Sequence, residues 1–250
     1  RQVATKCGLS FTPSAFQIRY GGFKGVVAVD PTSSKKLSLR QSMMKYESDN
    51  TKLDVLAWSK YQPCFLNRQL ITLLSTLGVK DVVFEKKQRE AVAQLDTILT
   101  DPLRAHEALE LMAPGENTNV LKEMLICGYK PDSEPFLSMM LQTFRASKLL
   151  DLRTKTRIFI PSGRSMMGCL DETRTLEYGQ VFVQFSGAGR RQFYDDSVQP
   201  SAHSLILEGK VVVAKNPCLH PGDIRILKAV NLPALHHMVD CVVFPQRGRR

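Results

Sequence analysis

Two lysines stand where apolar strands meet sharp turns. Lys24 follows Gly21-Gly22-Phe23 and opens an apolar run through Val29, with Arg19 just ahead of the glycines. Lys215 closes the run Lys210-Val211-Val212-Val213-Ala214 and precedes Asn216-Pro217. An ammonium beside a stiff turn at the edge of a sheet is held in place, which suits it to a phosphate chain. Arg164 sits in a similar setting, between Pro161-Ser162-Gly163 and Ser165-Met166-Met167. Arg247, Arg249 and Arg250 cluster just beyond another apolar run. The predicted phosphate- or polyanion-binding residues are therefore Lys24, Lys215, Arg164, Asn216, Arg19 and Arg247. A single lysine at a strand end is most often only solvated. Two alike settings, one in each basic flank, are what favour binding.

Other chemistries fare less well. Cys218-x-His220 and His236-His237-x-x-x-Cys241 do not match the spacing of a zinc finger, so no metal site is predicted from them. Asp195-Asp196 and Asp171-Glu172 are adjacent pairs, and neighbours on a strand point to opposite faces. Asp195-Asp196 also falls in the polar, glycine-containing stretch 186–202, which reads as an exposed loop. Gly-x-Ser-x-Gly, His-Glu-x-x-His, Walker and Gly-x-Gly-x-x-Gly patterns do not occur, which leaves hydrolase, kinase and dehydrogenase readings without their signatures.

The elements that must position these cations fall into three blocks. Residues 1–58 read as β-rich, with candidate strands at Phe16–Tyr20, Lys24–Val29, Lys36–Arg40 and Leu53–Trp58. The alternation in Lys36-Leu37-Ser38-Leu39-Arg40 is that of a half-buried strand. Residues 63–150 read as helices: Asn67–Leu77 before Gly78, the periodic stretch Asp81–Leu99, a helix capped by Asp101-Pro102, Asn119–Cys127 before Gly128, and Ser133–Leu150. From Arg157 strands return, at Arg157–Ile160, Gln180–Phe185, Ser204–Leu207, Lys210–Ala214, Asp223–Ala229 and Asp240–Phe244. The order β, helices, β predicts a mixed α and β (α+β) protein, two β-regions joined by a helical connector.

Charge follows the same division. The net charge of +10 splits into +5 over residues 1–58, −1 over 59–151 and +6 over 152–250. Positive charge confined to the flanks favours a polyanion such as nucleic acid over a uniformly basic surface. No run approaches the roughly 18 apolar residues of a membrane-spanning helix. The six cysteines are far apart and form no Cys-x-x-Cys pair, so they are expected reduced and mostly buried, in the cytosol or nucleus.

Ile158–Glu172 (IFIPSGRSMMGCLDE) and Val211–Arg225 (VVVAKNPCLHPGDIR), with Gln17–Pro31, Gly179–Val183 and Leu232–Arg249, resemble the cellular RNA-dependent RNA polymerases of plants, which serve RNA silencing. Strung together, these segments span nearly the whole chain. The resemblance implies two partial double-psi β-barrels: 1–58 in the first, 59–151 as connector, and 152–250 as the front of the second, catalytic barrel. It implies an enzyme that copies a single-stranded RNA template into double-stranded RNA from nucleoside triphosphates, in gene silencing and antiviral defence. The family's Asp-x-Asp-Gly-Asp loop, which holds magnesium, does not occur in residues 1–250. The resemblance therefore places the Mg2+ ligands beyond Arg250 and leaves this chain the cations that line the site. The alternative is a non-enzymatic, basic RNA-binding β-module.

Overall fold

The computed structural model describes residues 1–115, 118–186 and 205–246. After a short helix α1 (Gln2–Lys6), strands β1 (Ala15–Tyr20), β2 (Phe23–Ala28) and β3 (Asp54–Trp58) form an antiparallel sheet in the order β2-β1-β3. Gly21 and Gly22 make the two-residue turn between β1 and β2, with φ of +52° and +82°. Two positive φ values are what a tight hairpin turn of matching twist requires, and glycine supplies them without strain. The segment 43–54 then folds back over this turn, where Lys45 N–H donates to Gly22 O at 3.0 Å and Gly21 N–H donates to Asn50 O at 3.0 Å.

Strands β4 (Pro63–Leu66) and β5 (Ile158–Arg164) pair antiparallel, with Leu66 opposite Ile158. All the larger helices lie between them: α2 (Arg68–Thr76), α3 (Asp81–Thr97), α4 (Pro102–Met112), α5 (Asn119–Ile126) and α6 (Pro135–Lys155). Their starts are written in the sequence. Asn67 accepts from Leu70 N–H, Asp101 from Leu103 and Arg104 N–H, and Glu134 from Leu137 N–H, so side chains satisfy amides that the first turn leaves unpaired. Ile98, Leu109, Leu137 and Leu141 are fully buried at the centre of this block, and Phe65 of β4 and Phe159 of β5 pack into it.

The third unit is a mixed sheet in the order β6-β11-β7-β10-β9, from β6 (Met167–Leu170), β7 (Gln180–Phe185), β9 (Gly209–Ala214), β10 (Ile224–Ala229) and β11 (Cys241–Phe244), with β8 (Leu205–Ile206) on β7. β11 runs parallel to β6 and β10 parallel to β7, while the remaining pairs are antiparallel. This unit shares its core with the N-terminal sheet. Ala15 and Val26 pack with Cys169, Phe182, Leu235, Cys241 and Val243. Polar bonds reinforce the join: Ser59 Oγ accepts from Ser14 and Ala15 N–H, and Ser14 Oγ donates to His237 O and accepts from Val239 N–H.

Several expectations change. Lys36–Arg40 is not a strand. It pairs with no strand among the described residues, and Leu37 lies exposed, so its alternation buries no face. Residues 63–66, read as part of the helical block, are strand β4, and β6 also went unpredicted. Three cysteines, Cys169, Cys218 and Cys241, are buried, but Cys127 is exposed. The stretch 187–202, with Asp195-Asp196, lies outside the described residues. Among the described residues no helix is long and apolar enough to cross a membrane.

Candidate nucleic-acid interface

The β1–β2 hairpin turn and the segment folded over it enclose a cleft of about 340 Å3, lined by Arg19, Lys24, Lys45 and Lys52 with the aromatic residues Tyr20, Phe23 and Tyr46 and one acid, Asp54. Arg19 and Lys24 are register partners across β1 and β2, and Arg19 is in turn the partner of Asp54 on β3. Four cations against one carboxylate give the cleft a strong positive potential, and its size suits a small-molecule or nucleotide-sized ligand. Lys45 is placed by Met43, whose side chain packs under Gly25, and by its own N–H bond to Gly22. Lys24, Lys45 and Lys52 are all exposed, so their charges are available to a ligand.

Lys215 and Asn216 do not line this cleft. They begin a separate, tightly tied loop after β9. Lys215 N–H donates to Asp223 O at 3.1 Å, and the Asn216–Pro217 peptide is cis. Asp223 Oδ2 accepts from Leu219 and His220 N–H, and His220 Nδ1 accepts from Gly222 N–H at 2.9 Å. The hydrogen bond from Leu219, followed by that from His220 and the nearby Lys215 charge, holds the Asp223 carboxyl below its ordinary range despite some desolvation. Asp223 is thus the clasp that fixes the loop carrying Lys215.

Arg164 is not an exposed turn residue. Its guanidinium lies half-buried between the Tyr61 ring, 4.7 Å from the centroid, and the Phe185 ring at 5.4 Å. It donates to Pro161 O at 3.0 Å and Gly163 O at 2.8 Å. Burial pulls its pKa down, and Tyr61 and Asp240 act in the opposite sense. Arg247 lies outside the described residues.

The two adjacent carboxylates part company. Asp171 is fully buried and gathers the loop 171–176: its oxygens accept from Thr173 N–H and Oγ1, Thr175 N–H and Leu176 N–H at 2.9, 2.5, 2.7 and 2.8 Å. Burial raises its pKa, but these bonds outweigh burial and hold the carboxyl below its usual value. Glu172 faces outward, paired with Arg40 and accepting from Gln246 Nε2 at 3.2 Å. Three of the five histidines and cysteines raised as a zinc candidate are engaged elsewhere. His220 caps its loop, His236 bonds Asn231 and stacks on Phe182, and Cys241 lies in the apolar core. Among the described residues no group of three or more His, Cys, Asp or Glu is placed to hold a metal ion.

Sequence reasoning missed Lys45, Lys52 and Tyr46. They lie in irregular chain with no periodicity, and only the fold-back over Gly21-Gly22 brings them to the cleft. The Gly21-Gly22 pair, a bare turn that lets another backbone come close, is the nearest sequence signal.

The described residues thus combine a mixed α and β fold with a cleft where four cationic side chains meet. The family model described as RNA dependent RNA polymerase matches residues 1–250, and the chain belongs to this family. It is 76% identical over 251 residues to RNA-dependent RNA polymerase 1 of Arabidopsis thaliana, covering 100% of this chain and 22% of that protein. It is 67% identical over 250 residues to the probable RNA-dependent RNA polymerase 1 of Oryza sativa subsp. japonica, covering 100% of this chain and 32% of that one. The chain thus spans a third or less of these relatives. The fold resembles that of RNA dependent RNA polymerase QDE-1 from Thielavia terrestris, with a TM-score of 0.69 at 23% identity over 98% of this chain and 30% of that one.

Proposed function

We propose that this chain is part of the catalytic core of an RNA-dependent RNA polymerase that copies single-stranded RNA into double-stranded RNA from nucleoside triphosphates, in gene silencing and antiviral defence. The observation that carries the proposal is the cleft in which Arg19, Lys24, Lys45 and Lys52 converge. In this reading these cations neutralise a triphosphate or an RNA backbone. A held cation facing charge that develops on phosphoryl oxygens lowers the barrier, because it interacts more strongly with the transition state than with the ground state. Lys215 and Asn216, on the loop clasped by Asp223, form a second phosphate-binding point. Arg164, enclosed by two rings and two carbonyls, shapes the surrounding loop more than it touches phosphate.

Divalent-metal chemistry, Mg2+ in this reading, belongs to the family's reaction. The described residues offer no carboxylate cluster for it, so this chain's part is to hold phosphates. We further assign 1–58 and 152–250 to two partial double-psi β-barrels and 59–151 to a connector. The parallel pairings β6·β11 and β7·β10, each reached by a crossover, favour a barrel over a simple meander in 152–250. Six free cysteines fit the nucleus or cytoplasm.

Single-nucleotide extension on a primed single-stranded RNA template, with the full-length protein, tests the proposal. Lys24→Ala is expected to slow incorporation roughly 100-fold, the loss of about 3 kcal/mol of transition-state stabilisation. Wild-type rates in that variant, with folding intact, would remove the cleft from the reaction.

A further inference from the structure

We infer that Tyr46 is a stacking platform for a nucleobase, and that the cleft beside it therefore reads a nucleotide through its base as well as its phosphates. This rests on the phosphate reading of the cleft given above. Tyr46 keeps 66% of its surface exposed at the cleft wall, among Arg19, Lys24, Lys45 and Lys52. The ring–ring contacts of the described residues are Phe65–Phe159 and Phe182–His236, so neither involves Tyr46.

The ring is exposed, yet its backbone is fixed. A Cβ on Gly22 would lie 1.9 Å from Tyr46 O and 3.4 Å from its Cδ2, so the Tyr46 backbone rests directly on the bare turn. Lys45 N–H bonds to Gly22 O on one side of it, and Met44 bridges to Phe23. An aromatic side chain has only two torsions to fix, so a ring on a pinned backbone is largely preorganised before the ligand arrives. Charge complementarity names the occupant. A lone exposed tyrosine could meet another protein, but four surrounding cations favour a partner with an aromatic face and a string of negative charges, which is single-stranded nucleic acid or a nucleotide.

The test compares wild type, Tyr46→Ala and Tyr46→Phe in the full-length protein. Binding is read by fluorescence anisotropy with a labelled single-stranded oligoribonucleotide of about 12 nucleotides, and with a matched chain of abasic ribose phosphates. Tyr46→Ala is expected to weaken the oligoribonucleotide roughly 10–100-fold, to leave the abasic chain and the salt slope unchanged, and to be restored by Tyr46→Phe. A parallel arm reads KM for the nucleoside triphosphate in single-nucleotide extension. A rise there with unchanged oligoribonucleotide binding assigns the base to the incoming nucleotide, and the converse assigns it to the RNA strand. Equal weakening on the abasic chain, or no change in either arm, overturns the inference. Should Tyr46→Ala fail to fold, Tyr46→Leu, which keeps bulk without a π-face, carries the same comparison. Failure of the underlying phosphate reading is distinguishable: Lys45→Ala with Lys52→Ala would then leave affinity and salt slope untouched.

Discussion

Arg19 and Lys24 are direct partners in the β1–β2 ladder, like charges set opposite each other across two antiparallel strands. Such a pair costs the sheet a few tenths of a kcal/mol, where an opposite-charge pair would contribute about as much. Asp54, the partner of Arg19 on its other side, offsets part of the cost but leaves Lys24 uncompensated in the ladder. In the proposed reading, two opposed cations kept at the turn end of the β1–β2 hairpin beside the cleft serve a ligand rather than the stability of the sheet.

Lys24→Glu should therefore act in opposite directions on folding and on binding. It replaces a repulsive cross-strand pair by an attractive one, and the melting temperature should hold or rise slightly. Affinity for single-stranded RNA should fall, and the slope of log K against log salt should shrink by roughly 0.7, because one phosphate fewer is neutralised. Thermal melts and salt titrations on the same samples check both halves.

Gly22→Ala should be among the most damaging single substitutions in the N-terminal sheet. The added carbon would meet Tyr46 O at 1.9 Å, and the residue holds φ +82°, where an L side chain is strained. A backbone atom cannot swing aside as a side-chain tip can, so the fold-back 43–54 must move. A loss of about 2 kcal/mol or more is expected. Weaker RNA binding should accompany it, and hydrogen exchange at the Lys45 amide should report the opening.

Asp171→Asn should weaken the loop 171–176, and the effect should depend on pH. The folded-state pKa of Asp171 lies below its ordinary value, so its charged form stabilises the fold. That contribution is fully present above the unfolded pKa of about 3.9 and is lost as pH falls through the lower folded value. An asparagine amide would also set a donor against donors at Thr175 and Leu176. A cost of about 3 kcal/mol is expected at neutral pH. The gap between variant and wild type should narrow in acid, as read from amide exchange at Leu176 and from the unfolding midpoint.

Lys215→Ala should reduce nucleotide incorporation far more than stability. Its backbone is fixed by Asp223 and the following loop, and its ammonium acts on that loop only through its charge near the Asp223 carboxylate. The stability change should stay within about 0.5 kcal/mol. Asp223→Ala should slow incorporation too, but through a loosened loop, visible as faster exchange at the Leu219 amide.

Much of the fold could be read from the sequence, and particular residues show why the rest could not. Gln180–Phe185 is the strand predicted, because its apolar run is bounded by Gly179 and a polar stretch. Asp101 caps the helix it is expected to cap, and Asn67, read as the first residue of its helix, stands at the N-cap just ahead of it. The Lys36–Arg40 alternation misled because period alone does not supply a neighbouring strand. β4 was hidden because four residues opening on a proline carry too little pattern, and its partner stands 92 positions further on, Leu66 against Ile158. At the cleft, Arg19 and Lys24 stood out beside their glycines. Lys45 and Lys52 did not, because nothing local distinguishes them from other solvated lysines.

The pairing of Leu66 with Ile158 has a consequence for how such a chain can be built and rebuilt. It makes the whole run of helices an excursion from the tip of a single hairpin, leaving and returning through adjacent residues. Such an excursion is a cassette. It can lengthen, shorten or be exchanged without moving the strands on either side, and closing so long a loop costs little more than closing one half its length. The aromatic pair Phe65 and Phe159, 5.5 Å apart, ties the cassette down from the hairpin, together with Leu66 and Ile158 against Ala91 and Leu152 and the bond from Tyr61 Oη to Leu111 O. Replacing 67–157 by a two-residue turn and both phenylalanines by threonine would ask whether the hairpin can stand without its insertion.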